Sequence, residues 1–507
     1  MDFPPPPSPN RLPSRRCWAI GVAAVLGLYA LFLSRYIGAV AGGADSSGYM
    51  NQARLLASGH VEVPFREVPG LSFDSVPDNL YVPLGFILTP DRTALTPSYP
   101  TGLALLILAF KPFIGWRHAG DLVMILHAIA GILLTYALGR TFGLGRVWAA
   151  LGAAVIGASP LYLFMSLQAM SDVPALAWTT AAVIAAWRSR NRPGWALAAG
   201  ILISVDVLLR PTNVLVFLPV AVALGAQRRR WLLLALGGMP GAVFFGAYNL
   251  AAYGRLFATG YGDATSTFGL RYVPGSLELY VHWLPLLLTP IAVLALGLPW
   301  IARPAPRAAI LLGLWIAVYA GFYAAYEWTH HAWWFLRFLL PAAPAMVVAG
   351  LLVARRLWTV LFAGGRDAAR RLVWIAAMSA IVVNTSCWNH DLSVLAIGHG
   401  ESKYAVTARW LKAHVPSNAV LLVMQTSGAL FYYTDFTLVR WDWLSVGTQT
   451  GTKVETAIRK AGLPLYTVLF PFEREEVLRS VMPGTWTQIG AIEDVTIWQR
   501  GSGDAKR

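Results

Sequence analysis

Long apolar runs recur along most of this chain, and short arginine-rich segments separate one run from the next. Most runs are near the length of about 20 residues that a helix needs to cross the hydrocarbon core of a bilayer. Only 13% of the 507 residues are charged, about half of the share that a soluble domain carries. The pattern predicts a polytopic membrane protein whose fold is mainly α.

Eleven segments are predicted to span the membrane: 17–39, 119–139, 146–163, 173–187, 194–210, 212–227, 231–250, 281–301, 308–326, 338–354 and 372–388. An odd number of spans places the two ends of the chain on opposite sides. With the N-terminus inside, the inside segments hold 18 arginines, whereas the short outside loops after the second span hold 4. Because basic loops stay in the cytoplasm, we predict that the N-terminus is inside and the C-terminus outside.

The apolar stretch Thr101–Gly115 is shorter than the predicted spans, and Lys111 and Pro112 interrupt it. If this stretch were a span, the basic segments RSRNR and QRRR would lie outside. We therefore interpret it as a helix that lies in the outer interface or re-enters the membrane.

The predicted organisation is a disordered, proline-rich cytoplasmic tail (1–16), a transmembrane domain (17–388) with a large outer loop (40–118), and an extracytoplasmic domain (389–507). The last region becomes soluble in composition, and helical and strand patterns alternate along it. We predict a small α/β domain there. Its elements are the helix Glu401–His414, the strand AVLLVM, the aromatic strands ALFYYT and FTLVRWDWL, the strand LYTVLF, the helix EREEVLRSV and the last strand DVTIWQR.

The net charge of +15 is compatible with nucleic acid binding by itself. The basic residues lie between the apolar runs, however, where cytoplasmic loops are expected, so nucleic acid is not predicted as a partner.

The acidic residues indicate where a functional site would lie. Between residues 119 and 388 there are 7, and all but Asp367 lie in outer loops or at the outer ends of predicted spans. Polar groups that gather on one face of a membrane protein mark a candidate site.

Two acids, Asp45 and Asp172, have both a structural and a functional interpretation. Asp45 follows the first span in GGADSSGYMNQARLLASG. It is either a catalytic carboxylate or part of the start of a short helix, whose N-cap is then Asp45 or the neighbouring Ser46. Asp172 is likewise the N-cap of the fourth span or a second carboxylate near the first. Asp206 and Arg210 are four residues apart, which favours an ion pair on one helix face.

Two further motifs carry candidate ligands. Arg337 in WWFLRFLLPAAP has no acid at helical spacing on its C-terminal side, so it either binds a phosphate or extends to the lipid headgroups. In EWTHH, the spacing of Glu327, His330 and His331 would suit a metal ion, although such residues are also common at membrane interfaces. The sequence thus leaves a divalent cation open and indicates no other cofactor.

Five segments appear in one order over about 40–350: GADSSGYMNQARLLASGH, TPSYPTGLALLILAF, LGRTFGLGRVWAALGAAVIGASPLYLFMSLQAMSDVPAL, LLRPTNVLVFLP and RFLLPAAPAM. In this order the chain resembles the bacterial GT-C superfamily of polytopic glycosyltransferases, relatives of protein O-mannosyltransferases and aminoarabinose transferase. The resemblance implies that Asp45 is the base and that Asp172 is a second acid or contacts the acceptor. It matches Arg337 and Arg210 to family arginines. Family members often carry another acid directly after the first, and here that position is Ser46.

The resemblance implies a polyprenyl-phosphate sugar donor. The hypothesis is a glycosyltransferase of the bacterial inner (plasma) membrane that works on the periplasmic or exterior face, with inversion, and has membrane lipid as a partner. Asp45 activates a lipid, glycan or protein acceptor, while Arg337, with Arg210 or Arg92, holds the donor phosphate. The alternatives are a surface-polysaccharide polymerase or ligase, a transporter, and a scaffold that presents the C-terminal domain. A transporter would need mid-membrane charges and an internal repeat, which this sequence lacks.

Overall fold

The computed structural model describes residues 15–262, 264–301, 306–362, 367–444 and 450–501. The predicted cytoplasmic tail falls almost wholly on residues 1–14, outside these ranges. The described chain is mainly helical, and a small sheet forms near its C-terminal end. The bounds of all elements follow in chain order.

The α-helices are α1 (Arg15–Tyr36), α2 (Ala44–Ala57), α3 (Thr101–Thr141), α4 (Arg146–Ala158), α5 (Pro160–Ser166), α6 (Asp172–Arg188), α7 (Trp195–Leu209), α8 (Phe217–Leu224), α9 (Arg228–Tyr253), α10 (Val273–Leu287), α11 (Ile291–Leu294), α12 (Leu298–Ile301), α13 (Pro306–Ala324), α14 (Ala343–Leu361), α15 (Asp367–Asp391), α16 (Ile397–His414), α17 (Ser427–Tyr433), α18 (Thr450–Lys460) and α19 (Pro471–Glu476). The strands are β1 (Phe86–Leu88), β2 (Leu95–Pro97), β3 (Val420–Val423), β4 (Thr437–Arg440), β5 (Leu465–Leu469), β6 (Trp486–Ile492) and β7 (Val495–Arg500). Short 3₁₀-helices cover Phe73–Ser75, Pro211–Val216, Ala264–Thr267, Leu270–Tyr272, Ala295–Gly297, Glu327–His330, Trp333–Ala342, Val394–Ala396 and Trp441–Trp443, and a π-helix covers Val477–Val481.

Within the described ranges, 5 helices are long and apolar enough to cross a membrane: Thr101–Thr141, Arg228–Tyr253, Pro306–Ala324, Trp333–Leu361 and Asp367–Asp391. The number rises to 7 if two bent pairs are each one span, namely α4 with α5, bent by 59°, and Leu270–Leu287 with Ile291–Ile301, bent by 119°. Ile20–Tyr36, Trp195–Leu209 and Pro211–Leu224 are shorter apolar helices. The predicted helical membrane fold is confirmed, whereas the eleven spans and their orientation stay predictions.

The predicted span 281–301 is wrong as a single helix. α10 ends at Leu287, and the chain bends by 119° before α11 begins at Ile291. The bend contains Thr289, whose φ is +62°, followed directly by Pro290. The residue before a proline is driven out of the helical region, so the helix stops here although the sequence remains apolar.

The apolar stretch Thr101–Gly115, which was predicted as a separate interfacial or re-entrant helix, forms the first part of α3. The helix is kinked at Gly115, whose φ of 74° and ψ of 169° suit a residue without a Cβ. Near its start, Gly102 packs so closely on the backbone of Leu208 and Leu209 that a Cβ would overlap it. Because α3 as a whole qualifies as a span, the depth of its first part in the membrane stays a prediction.

The C-terminal region forms a 5-stranded sheet of order β4-β3-β5-β7-β6. β4, β3 and β5 are parallel, and β5, β7 and β6 are antiparallel, which confirms a small region of mixed helix and sheet. The predicted strand ALFYYT is wrong, because it forms helix α17. Its aromatic residues Phe431 and Tyr432 are buried, and packing overrides their local preference for strands. α18 and β6 were not predicted, and EREEVLRSV divides between α19 and the π-helix.

The outer loop after α2 and the C-terminal sheet share their apolar cores. Residues of the loop between 63 and 95 pack with the sheet in two clusters. The backbone N–H of Arg440 donates to the Leu80 carbonyl at 2.8 Å. Helix α17 also reaches α2, where the Asn51 amide donates to the Gly428 carbonyl at 3.0 Å. The C-terminal region therefore contacts the helix that carries Asp45, and the predicted domain boundaries stay predictions.

Candidate active site

Helix α2 carries Asp45 in its first turn. Its N-cap is Gly43, which has no side chain to accept from the free N–H groups that every helix start leaves. The expectation that Asp45 or Ser46 caps this helix is therefore wrong. The Gly43 N–H donates instead at 3.1 Å to the carboxylate of Glu401, which also accepts from the Ser46 hydroxyl. Since another residue caps the helix, the Asp45 carboxylate is available for other contacts.

The Asp45 carboxylate accepts hydrogen bonds on both of its oxygens. Oδ2 accepts from Arg337 Nη1 at 2.7 Å, and Oδ1 accepts from the Tyr99 hydroxyl. Burial alone would raise the pKa of Asp45, but the Arg337 charge and these hydrogen bonds hold that pKa below its ordinary value. Asp45 is therefore an ionised carboxylate at neutral pH.

Arg337 lies on the 3₁₀-helix Trp333–Ala342, and part of its guanidinium has no hydrogen-bond partner among the described residues. Nη1 donates to Asp45 and lies 3.8 Å from Met170 Sδ. Nε is buried and has no hydrogen-bond partner within the described part of the chain. Arg337 lines a cavity of about 280 Å³ together with Gln168, Met170, Trp334 and two apolar side chains. Because the cationic Arg337 side chain lines this cavity, the cavity suits an anion such as a phosphate group.

A second ion pair lies beside the first, and it is deeply buried. Asp172 at the start of α6 pairs with Arg210, and their side chains are 3% and 12% exposed. The predicted pair of Arg210 with Asp206 is wrong. Arg210 is in an extended conformation after the last residue of α7, because a proline follows it, so it leaves the helix face that carries Asp206. Asp206 instead accepts from Thr179 Oγ1 at 2.6 Å.

The ring of Phe338 lies next to both guanidinium groups. Cζ of Arg210 is 5.2 Å and Cζ of Arg337 is 5.3 Å from the centre of this ring. The two ion pairs therefore form one cluster of alternating charge. It contains four of the predicted site residues, namely Asp45, Asp172, Arg210 and Arg337.

Other predicted ligands lie elsewhere. Arg92 pairs with Asp78 in the outer loop, and its side chain is 53% exposed. Glu327 begins a 3₁₀-helix, in which residues three apart eclipse but residues four apart do not, so His330 and His331 cannot both face it as on an α-helix. Across the described ranges, no group of three or more His, Cys, Asp or Glu side chains is placed to hold a metal ion. A divalent cation stays a prediction without a located site.

Three residues of the site were not predicted: Tyr49, Tyr99 and Glu401. Tyr99 lies in the segment TPSYPTG, whose resemblance to the GT-C superfamily was a usable signal. The Tyr49 hydroxyl donates to Ser171 Oγ at 2.9 Å and so connects α2 to the start of α6. Glu401 is 355 positions from Ser46, and no motif or spacing marks it.

The cluster offers a proton acceptor and an anion site at adjacent positions. The ionised Asp45 can take a proton from a bound hydroxyl or amine. Arg337 and Arg210 carry planar, delocalised charges that match the geometry of a phosphate group. This arrangement suits the transfer of a group from a phosphate leaving group to a nucleophile.

No protein-family model matches the chain, and no curated protein matches its sequence. Solved structures do match. ArnT from Cupriavidus metallidurans bound to undecaprenyl phosphate has a TM-score of 0.61 at 15% identity, covering 96% of this chain and 98% of that one. ArnT from the same organism in the apo state has a TM-score of 0.57 at 13% identity, covering 95% and 98%.

The arabinofuranosyltransferase AftD from Mycobacteria has a TM-score of 0.51 at 13% identity. The likeness covers 97% of this chain and 42% of AftD, so the chain spans less than half of that protein. At these identities the likeness is one of fold. The chain shares the fold of ArnT and of part of AftD over nearly its whole length, which confirms the fold that the resemblance in the sequence implied.

Proposed function

We propose that this protein is an integral membrane glycosyltransferase that moves a sugar from a polyprenyl-phosphate donor to an acceptor on the extracytoplasmic face. The observation that carries the proposal is the pair of Asp45 and Arg337. In it a half-buried carboxylate pairs with an arginine whose Nε has no hydrogen-bond partner in the described part of the chain and whose side chain lines a cavity. The shared fold supports it, because one of the matching structures is ArnT bound to undecaprenyl phosphate.

Arg337 is the proposed contact of the donor phosphate, with Arg210 beside it. A sugar phosphodiester carries one negative charge, and the departing polyprenyl phosphate gains a second one. Preorganised cations that face this developing charge stabilise the transition state more than the bound donor. Arg210 is held by Asp172, so it contributes through the position of its charge beside the Phe338 ring, which Arg337 also contacts. Arg92 is outside this cluster and has no part in the proposal.

Asp45 is the proposed base. When a donor phosphate engages Arg337, it competes with Asp45 for the guanidinium and leaves the carboxylate free to accept a proton. An acceptor O–H or N–H then loses its proton to Asp45 as the new bond to the anomeric carbon forms. The bond from that carbon to the phosphate oxygen breaks, and polyprenyl phosphate leaves with the electron pair. One displacement of this kind inverts the anomeric configuration.

The proposed setting is a bacterial inner membrane with eleven spans, the N-terminus inside and the cluster on the outer face. The arginine distribution supports this orientation. A lipid-linked donor fits an outer site, because a sugar carried on a lipid can cross to that face. The acceptor is proposed only as a lipid, a glycan or a protein that presents a hydroxyl or an amine.

The experiment is a transfer and hydrolysis assay on detergent-purified protein with labelled polyprenyl-phosphate pentoses and hexoses. We expect activity in the wild type, loss of at least about 100-fold in Asp45→Asn, and weaker donor binding in Arg337→Ala. Matched controls are Asp78→Asn, an exposed acid of the same loop, and Arg255→Ala, an exposed arginine of another outer loop. Full activity in Asp45→Asn, or donor binding in Arg337→Ala equal to that of Arg255→Ala, would overturn the assignment.

A further inference from the structure

A carboxylate from the C-terminal region is buried against the first turn of the helix that carries Asp45. Glu401 on α16 is only 7% exposed. Its Oε2 accepts from the Gly43 N–H at 3.1 Å and from the Ser46 hydroxyl. Gly43 and Ser46 flank Asp45 on both sides in the sequence, so Glu401 holds the turn from which the Asp45 side chain projects.

The backbone around this contact is packed without spare room. A Cβ at Gly42 would overlap the Glu401 carboxylate. One turn earlier on α16, the backbone of Gly398 lies directly on that of Gly38, and a Cβ on either residue would overlap the other segment. The start of α16 and the linker between α1 and α2 therefore fit in one arrangement, which leaves Glu401 little freedom to move away.

The contact supplies an oxygen acceptor at a helix start. A helix start presents unpaired N–H groups and a partial positive charge, both of which favour a carboxylate. α2 has no capping side chain of its own. The serine at position 46, where related enzymes often carry an acid, supplies the hydroxyl that Glu401 accepts from.

We propose that Glu401 is a positioning residue for the base, which fixes the first turn of α2 so that the Asp45 carboxylate is held at the reacting centre. This inference rests on the proposed function for its catalytic consequence. Its structural part, that Glu401 orders the start of α2, does not depend on what reaction the site performs.

The charge on Glu401 also bears on Asp45. The groups whose charges interact with Glu401 are Asp45 on α2, Tyr404 on its own helix and Tyr433 on α17. No lysine, arginine or histidine in the described chain forms an ion pair with it. Burial, followed by the nearby Asp45 charge, raises the pKa of Glu401 to about 7, against the hydrogen bonds from Ser46 and Gly43. An ionised Glu401 makes Asp45 a stronger base, so kcat should rise with pH through about 7.

The test compares Glu401→Gln, Glu401→Ala and Ser46→Ala with Glu493→Gln. Glu493 is a matched control, because it contacts His399 and Lys403 on the same helix but does not touch α2. We expect Glu401→Ala to lower kcat about 10- to 100-fold with KM for the donor nearly unchanged. Glu401→Gln should lose the limb of the kcat–pH profile near 7, and Ser46→Ala should reproduce part of the loss.

Hydrogen exchange of the residue 44–50 amides, followed by mass spectrometry, is the second readout and needs no substrate. Exchange there should be about fivefold or more faster in Glu401→Ala and unchanged in Glu493→Gln. If Glu401→Gln and Glu401→Ala match Glu493→Gln in exchange, kcat and pH profile, the inference is overturned. A wild type without glycosyl transfer but with the expected exchange differences would overturn the proposed function alone.

Discussion

Arg337 donates through Nη1 to Asp45 at 2.7 Å, while its buried Nε has no hydrogen-bond partner in the part of the chain that the structure describes. The proposed base is thus paired with the proposed phosphate ligand as long as no donor is bound. A donor phosphate that takes Arg337 breaks this pair. On the proposed function, binding of the donor phosphate to Arg337 therefore also frees the Asp45 carboxylate to accept a proton.

Asp45→Asn should bind polyprenyl phosphate more tightly than the wild type, although it no longer transfers sugar. An amide competes weakly for a guanidinium, so Arg337 is more available to the phosphate. We expect a dissociation constant about 3- to 10-fold lower, corresponding to about 1 kcal/mol, measured by titration calorimetry with undecaprenyl phosphate. An unchanged or weaker affinity, judged against Asp78→Asn, would contradict competition for Arg337.

Removing one member of the Asp172–Arg210 pair should destabilise the protein strongly. Arg210→Gln leaves Asp172 as an unpaired charge that is 3% exposed, at a cost of about 3–5 kcal/mol. The double variant Asp172→Asn with Arg210→Gln should be much less destabilised than the sum of the two single changes, because no charge stays buried alone. The free energies of unfolding of the wild type, the two single variants and the double variant, measured in detergent, complete this double-mutant cycle. Additive effects would show that the two side chains do not depend on each other.

Gly48→Ala should impair the site through Tyr99. A Cβ at this position would overlap the Tyr99 ring and come within 3.3 Å of the Gly85 Cα, so the ring must shift and its hydroxyl contact to Asp45 is disturbed. We expect a stability loss of about 1–3 kcal/mol together with a lower kcat. Gly27→Ala on α1 is the control, because nothing lies within 4 Å of its Cβ. Equal effects of the two alanines on kcat would rule out this role for Tyr99.

Glu401 should make stability depend on pH. Its folded pKa of about 7 exceeds the ordinary 4.5, so the folded chain binds this proton more tightly than the unfolded chain. The resulting stability is fully present below pH 4.5 and is lost as the pH rises through about 7. The melting temperature of wild type minus that of Glu401→Gln should therefore fall between pH 5 and 7.5. Glu493→Gln is the control, since a hydrogen bond from Lys403 lowers the pKa of Glu493 from its ordinary value of 4.5, further below this window. A constant difference would contradict the prediction.

Local patterns and the order of motifs predicted much of the fold and four of the seven site residues described above. Hydropathy found helical segments, and the order of motifs selected Asp45, Asp172, Arg210 and Arg337, which the structure brings together. Predictions of side-chain contacts from residue spacing were wrong where a helix ends. Arg210 is four residues from Asp206, but a proline turns its backbone out of the helix, so the expected partner was replaced by one from another helix.

Residues that act across long separations in sequence had no local signal. Glu401 caps a helix 355 positions away, because the outer loop and the C-terminal sheet fold on shared apolar cores. ALFYYT has the composition of a strand, yet burial against several elements makes it a helix. The Glu401 contact and the helical state of ALFYYT both depend on which segments pack together in the folded chain. Neither the hydrophobic periodicity nor the secondary-structure propensity of a segment contains that information.

The cap of α2 also implies an order of assembly. Asp45 is synthesised long before Glu401, which emerges only after the described helices up to Asp391 have been made. A nascent chain that has just inserted its membrane helices therefore holds Asp45 on a helix whose start is still uncapped. On the proposed function, incomplete chains would consume the lipid-linked donor only slowly, and full activity would appear when the C-terminal region has reached its place beside α2.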